Sequence, residues 1–320
     1  MEIKIAIRES DVSDEYLRFA RQIGVDGIDI HNSFNIPGVK ERGHPDFNGF
    51  LKLKKRVESY GLKIFRVSAP PVRDYLLDRP GGEQAIDNLR RTIECMGKLS
   101  LSPLVVTLNV SPELWRLGEI HRTHRGGYTM HAFSLRKMKE KLESGEAFSV
   151  DHEKFWERCI RLLEEATAMA EDLDVKLAIH PQDPPVSELE YPWTVGFLGL
   201  NKIFESISSK NLGVLYCCGT RYEAGVDICE EIRYFGKKGK IFHVHLRNVR
   251  GKIPITGGYE EVAIDDGEID LFRVLKTLSE VGYKGAINPD HVPIYIGDRE
   301  NNMIAWAQAV GYIQGLLAAL

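Results

Sequence analysis

The sequence predicts an α/β protein, a single (β/α)8 barrel (TIM barrel). Eight short apolar runs rich in β-branched residues alternate with eight longer amphipathic segments along the 320 residues. The runs are hydrophobic almost throughout, as parallel strands covered on the outside should be. The loops after the early runs carry no G-x-G-x-x-G, and neither G-x-x-x-x-G-K-[ST] nor G-x-S-x-G occurs anywhere. That argues against a doubly wound phosphate-binding sheet and against a hydrolase elbow.

In chain order, Ile3–Ile7 leads to a helical segment at Asp14–Ile23, and Gly27–His31 leads to one at Phe47–Tyr60. Lys63–Val67 precedes Glu83–Lys98. Leu104–Asn109 is followed by a long irregular stretch, Val110–Val150, before the helix-period segment His152–Asp172, with Asp151 placed to cap it. Lys176–His180 precedes Gly199–Ser208, and Gly213–Cys217 precedes Gly225–Phe235. Ile241–Leu246 precedes Ile269–Val281, whose start carries the acids of Asp266-Gly-Glu-Ile-Asp270. Gly285–Asp290 precedes the last helix, Asn302–Leu320. The reading is one barrel domain over residues 1–320 with an insertion at about 110–150 after the fourth strand. The insertion holds His121, Arg122, His124, Arg125, Gly126, Gly127, Tyr128 and His131. A loop this long is either a substrate-binding arm or a surface insertion.

Composition sets limits. Charged residues make up 28 % and the hydrophobic set 43 %, which excludes a disordered or membrane-embedded chain. With 42 Lys and Arg against 46 Asp and Glu, the net charge of −4 excludes a strongly basic nucleic-acid binder. No apolar run reaches membrane-spanning length, and the start Met-Glu-Ile-Lys-Ile-Ala-Ile has no leader layout, so no membrane partner and a cytoplasmic location are expected. The five cysteines, 95, 159, 217, 218 and 229, include no Cys-x-x-Cys pair and read as free thiols.

In a barrel, chemistry sits at the C-terminal ends of the strands. The last four runs end in Ile179-His180-Pro181, Tyr216-Cys217-Cys218, His243-Val-His245-Leu-Arg247 and Pro289-Asp290-His291. His180, Cys217, His245 and Asp290 therefore form a mixed N, S and O ligand set, suited to a divalent transition metal and not to Ca2+ or Mg2+ alone. His243 shares a strand face with His245 and is an alternative ligand, though His245 lies nearer the strand end. Cys218 points away if the strand continues. His291 is placed to act as an acid or base. Arg247 offers a fork for a substrate carboxylate, or else an ion pair with an acid. Gln182 and Asp183, in the stiff His180-Pro-Gln-Asp-Pro-Pro loop, should project over the site. The acids Asp265, Asp266, Glu268 and Asp270 read as loop and cap, not as a second metal site.

These motifs resemble those of the mannonate dehydratases. Leu177-Ala-Ile-His-Pro-Gln-Asp-Pro-Pro resembles that family's Ala-Ile-His-Pro-Asp-Asp-Pro-Pro signature. Cys217-x-Gly219, His245-Leu-Arg247-Asn248-Val and Pro289-Asp290-His291 follow in the family's order. The resemblance implies a xylose-isomerase-like barrel and a divalent metal, usually Mn2+ (Zn2+, Co2+ or Fe2+ being alternatives), held by His180, Cys217, His245 and Asp290. It implies a sugar-acid substrate, D-mannonate losing water to give 2-keto-3-deoxy-D-gluconate, with His291 as a catalytic acid or base. It also implies a homo-oligomer. The chain departs from the family at Asn288, where Arg is usual, and at Val292, where Gly is usual. The Gly-Tyr-Gly segment entering the last helix is replaced by Asn301-Asn302-Met303-Ile304-Ala305. Tyr295 is the nearby candidate for the missing catalytic tyrosine. A metal-dependent sugar isomerase or epimerase, or a non-catalytic sugar-acid-binding homologue, stands as the alternative.

Overall fold

The computed structural model describes residues 3–8, 11–108, 112–144, 151–186, 197–298 and 301–320. Its strands are β1 (Lys4–Arg8), β2 (Gly27–Ile30), β3 (Lys63–Ser68), β4 (Leu104–Val106), β5 (Glu119–Thr123) and β6 (Thr129–Ser134). They continue with β7 (Leu177–Ile179), β8 (Leu212–Cys217), β9 (Ile241–His245), β10 (Asn248–Arg250), β11 (Gly258–Val262) and β12 (Ala286–Asn288). Eight of them close a parallel barrel in the order β1-β12-β9-β8-β7-β4-β3-β2. These are the eight apolar runs read from the sequence, with ends differing by a few residues.

Amphipathic helices cover the barrel. Asp14–Gln22, Phe47–Ser59, Gly82–Leu99 and His152–Asp172 pack outside its first half, and Phe197–Ser206, Ile228–Lys237, Leu271–Glu280 and Met303–Ala318 outside its second. Several start with a side chain that accepts from an otherwise unpaired backbone N–H: Ser13 from Tyr16, Asp151 from Lys154, and Asp270 from Arg273. The core between barrel and helices is one continuous cluster running from Ile3 to Ile313. The strands are buried on both faces, so their sequences show no alternation.

The insertion is not irregular, which corrects the expectation. It contains the helices Pro112–Gly118 and Leu135–Glu143 around the hairpin β5–β6. Residues 110–111 and 145–150 of that stretch lie outside the described residues. The hairpin turns through Gly126 and Gly127 at φ 68° and 90°, a left-handed backbone that glycine adopts without strain. Its strand β6 pairs antiparallel with β11, giving a four-stranded sheet in the order β10-β11-β6-β5. The sequence conceals this because the hairpin strands are short and polar, and their partner lies more than a hundred residues away. A satellite core of Leu117, Phe133, Met138, Val186, Ile253 and Tyr259 holds the sheet above the barrel's C-terminal rim.

Candidate metal centre and active site

Four barrel strands bring the expected ligands to one rim. His180 follows directly on β7, while Cys217 and His245 end β8 and β9. A register shift between Val214 and Leu215 leaves Cys217 opposite His245 in the β8–β9 pair. Ligand atoms of His180, Cys217 and His245 all lie within 4.8 Å of one another. Asp290 stands two residues past β12 at φ 64°, its N–H donating to Asn288 Oδ1 at 2.7 Å. Its Oδ2 is 3.3 Å from His245 Nδ1.

The donor set fits a divalent cation. His180 Nδ1 donates to the Pro181 carbonyl at 2.6 Å, which leaves Nε2 with its lone pair free for a metal. Both ring nitrogens of His245 are buried without a hydrogen-bond partner, a costly state that a bound ion would relieve. Burial pushes the Cys217 thiol up, but Arg247 and His245 outweigh it and hold the group below its ordinary range, toward the thiolate. Burial likewise works against the Asp290 carboxylate, yet His245, His291 and Arg247 hold it well below the usual range.

Behind the cluster lies a layer that sequence reading missed. His243 Nε2 is 2.8 Å from Asp29 Oδ2, and Asn288 Nδ2 donates to the same oxygen. His243 thus stands on Asp29, while His245 faces His180 and Cys217. Arg66 Nε is 3.7 Å from Asp29, and the Arg66 guanidinium also bonds His31. Burial and the Arg66 charge push the His31 imidazole far below its usual range, so it is neutral. The signal was present: Asp29 and Arg66 are charged residues inside apolar strand runs, where charge is rarely tolerated unpaired.

Arg247 is not a free fork for substrate. It is buried, with Nη1 donating to Glu223 and Glu261 at 2.8 Å and Nη2 donating to Asp183 and Thr220 Oγ1 at 2.9 Å. Asp183 also accepts from the Tyr259 hydroxyl, so this residue of the His-Pro-Gln-Asp loop belongs to the Arg247 web. Gln182 turns back to the Val186 carbonyl. Glycine at 219 is required by close approach, since a Cβ there would come within 2.6 Å of Arg247 Cγ. Asn248, next in the motif, donates to the carbonyls of Ile264 and Ile269 and holds the loop beyond β11. Burial pushes Glu223 well above the carboxyl range, so the web carries fewer charges than its acids suggest. Arg247→Ala should cost about 3–5 kcal/mol of stability, because it strands buried carboxylates. Urea unfolding checks this, and a loss below about 1 kcal/mol would show the web to be dispensable.

His291 Nδ1 is 2.8 Å from Glu261 Oε1, and Nε2 is 3.7 Å from Asp290. Burial lowers its pKa, but Asp290 and Glu261 outweigh that and push it up to about 9. Its side chain is 32 % exposed and borders a cavity of about 680 Å³, lined also by Arg8, Glu261, Asp290, His121 and His131. Tyr295 does not line this cavity. Its ring packs edge-on against Tyr128, 5.8 Å between centroids, in a small cluster with Met130 and Ala263. Cys218 starts a helix and packs in the main core. The acidic run is structural, as read: Asp265 pairs with Arg125, Asp266 with Arg250, and Asp270 caps a helix.

The sequence model of D-mannonate dehydratase (UxuA) matches residues 126–320. The mannonate dehydratase of Thermotoga maritima is 30 % identical, with 94 % of this chain and 92 % of that protein covered. The chain belongs to the D-mannonate dehydratase family. The mannonate dehydratase of Streptococcus agalactiae serotype V is 27 % identical over 84 % of this chain and 85 % of its own. Among solved structures, mannonate dehydratase from Streptococcus suis serotype 2 superposes with a TM-score of 0.84 at 24 % identity, covering 100 % of this chain and 95 % of that one. A xylose isomerase domain protein from Planctomyces limnophilus matches at TM-score 0.65 and 12 % identity, covering 100 % and 97 %. Both structures support the xylose-isomerase-like barrel read from the sequence. Membership makes this chain a hydro-lyase of the mannonate dehydratase type. None of its described helices is long and apolar enough to cross a membrane.

Proposed function

We propose that this protein removes water from a sugar acid of the D-mannonate type, with one divalent ion held by His180, Cys217, His245 and Asp290. The observation that carries the proposal is the buried His245 ring, with no hydrogen bond at either nitrogen and only the Asp290 ion pair at Nδ1, between a thiolate-favouring cysteine and an aspartate held ionised. The ion is Mn2+ by family resemblance, and the mixed donor set also accepts Zn2+, Co2+ or Fe2+. A bound divalent ion supplies Lewis acidity that stabilises negative charge building on the substrate carboxylate.

The protein's own groups supply the rest. A general base takes the proton from C2, the freed electron pair forms the C2=C3 bond as the C3–O bond breaks, and the resulting enol tautomerises to the 2-keto-3-deoxy acid. His291, cationic beside Asp290 and Glu261 and open to the cavity, donates the proton that turns the leaving hydroxyl into water. Glu261 orients the ring through Nδ1. Since Arg247 is engaged with its own carboxylates, Arg8 at the end of β1 is, among the described residues, the guanidinium in the cavity wall, and we assign it to the substrate's negative end. Arg247 acts as a positioning residue, holding Asp183, Glu223 and Glu261 in place.

Five buried free thiols suit the reducing cytoplasm, where we place the protein. The homo-oligomer implied by the family has an apolar surface available in the exposed Ile294, Ile296 and Ile304.

Incubating metal-loaded protein with a panel of hexonates and ketoses tests the reading. D-mannonate or a close relative should yield a 2-keto-3-deoxy acid, and Arg8→Ala should raise KM for it by about tenfold or more. Isomerised sugar without water loss would favour the epimerase reading. Binding without turnover would favour a non-catalytic homologue.

A further inference from the structure

The arm carries a second set of donors that the barrel chemistry does not use. His121 on β5 and His131 on β6 are direct cross-strand partners. Glu119 lies two residues before His121, on the same face of β5. Its Oε1 is 3.0 Å from His131 Nδ1 and 3.7 Å from His121 Nε2, and the two imidazole centroids are 5.0 Å apart. One ligand atom from each of the three lies within 4.8 Å of the other two. Arg122 is spent on Glu260 of β11, at 3.2 Å, so this neighbouring cation has its own counter-charge.

We propose that Glu119, His121 and His131 form a second metal site, taking a transition-metal ion such as Ni2+, Zn2+ or Cu2+. Two imidazoles and a carboxylate on rigid paired strands leave coordination positions open, the pattern of a site that can also accept a ligand oxygen. His121 and His131 border the cavity that Asp290 and His291 enter, so the open positions face the volume where the sugar acid would lie. The half-exposed rings make this ion more exchangeable than one in the buried barrel site. An exposed His–Glu ion pair alone would contribute little to stability and leaves the second imidazole unexplained.

Trp115 provides the readout. Its ring packs edge-on against His131 with centroids 4.9 Å apart, so a paramagnetic ion at this site must quench its fluorescence. The full-length protein is titrated with Ni2+ after the barrel site is disabled by His180→Ala, and separately by Cys217→Ser. Calorimetry should show one Ni2+ per chain, with quenching of tryptophan emission. His121→Ala and His131→Ala should each weaken this binding at least tenfold, and Trp115→Phe should remove most of the quenching while the ion still binds. His121→Gln, which keeps a polar side chain on the strand, should behave as His121→Ala if the imidazole is a ligand. The same isotherm in His121→Ala/His131→Ala as in its parent, with circular dichroism unchanged, would overturn the proposal. So would the absence of Ni2+ binding in both barrel-site variants.

Discussion

His180→Ala combined with His245→Ala is expected to leave the barrel site without a metal ion. Protein purified without chelator should carry about one equivalent of Mn, Zn, Co or Ni at this site, and the double variant almost none. The physical ground is the shortage of substitutes. His180 Nε2 is freed by the Nδ1 bond to Pro181, and His245 makes no hydrogen bond at either nitrogen, its Nδ1 facing only the proposed co-ligand Asp290. With both rings gone, only Cys217 and Asp290 remain of the proposed four, too few donors for a transition metal at neutral pH. Elemental analysis decides the matter, with His121→Ala added so that any ion on the arm is not counted. Full retention in the triple variant would mean that the barrel metal sits elsewhere, the Asp29–His243 pair being the first place to look.

His291→Ala is expected to keep the metal and to lower turnover by about 10²–10⁴-fold, the share usually lost with one proton-transfer group. His291 reaches the cavity from beside Asp290 without belonging to the tight group of His180, Cys217 and His245. His291→Gln retains size and hydrogen bonding but cannot carry the proton, so it should be as slow as the alanine variant. Tyr295→Phe should be nearly silent, because the ring packs on Tyr128 outside the cavity lining. If Tyr295→Phe were the slow variant and His291→Ala ran at the normal rate, the acid would have to be reassigned.

Much of the site was legible because barrel chemistry is local in sequence. His180, Cys217, His245 and Asp290 each end or follow a strand, and strand ends can be read from hydrophobic runs. Arg247 was legible as important but not as to role. Its partners Asp183, Glu223 and Glu261 come from a loop, a short helix and strand β11, far apart in sequence, and only their convergence shows that the guanidinium is already engaged. Tyr295 shows the converse: it is a candidate only through its nearness in sequence to the segment 301–305, where the family's tyrosine is missing, and only the fold shows that its ring packs on Tyr128.

By itself the sequence determined the eightfold alternation, the rim on which chemistry sits and the ligand types offered there. Those features depend on periodicity, capping and strand ends, which act over a few residues. Only the tertiary structure decided that His245 and not His243 faces Cys217, since that depends on the register shift in β8–β9. Tertiary structure likewise turned the polar insertion into a sheet, because β6 is completed by β11 from a distant loop. It also set the direction in which the Cys217, Asp290 and His291 titrations are shifted, because electrostatics inside a barrel depends on which charges the fold brings within a few ångströms, whatever their separation along the chain.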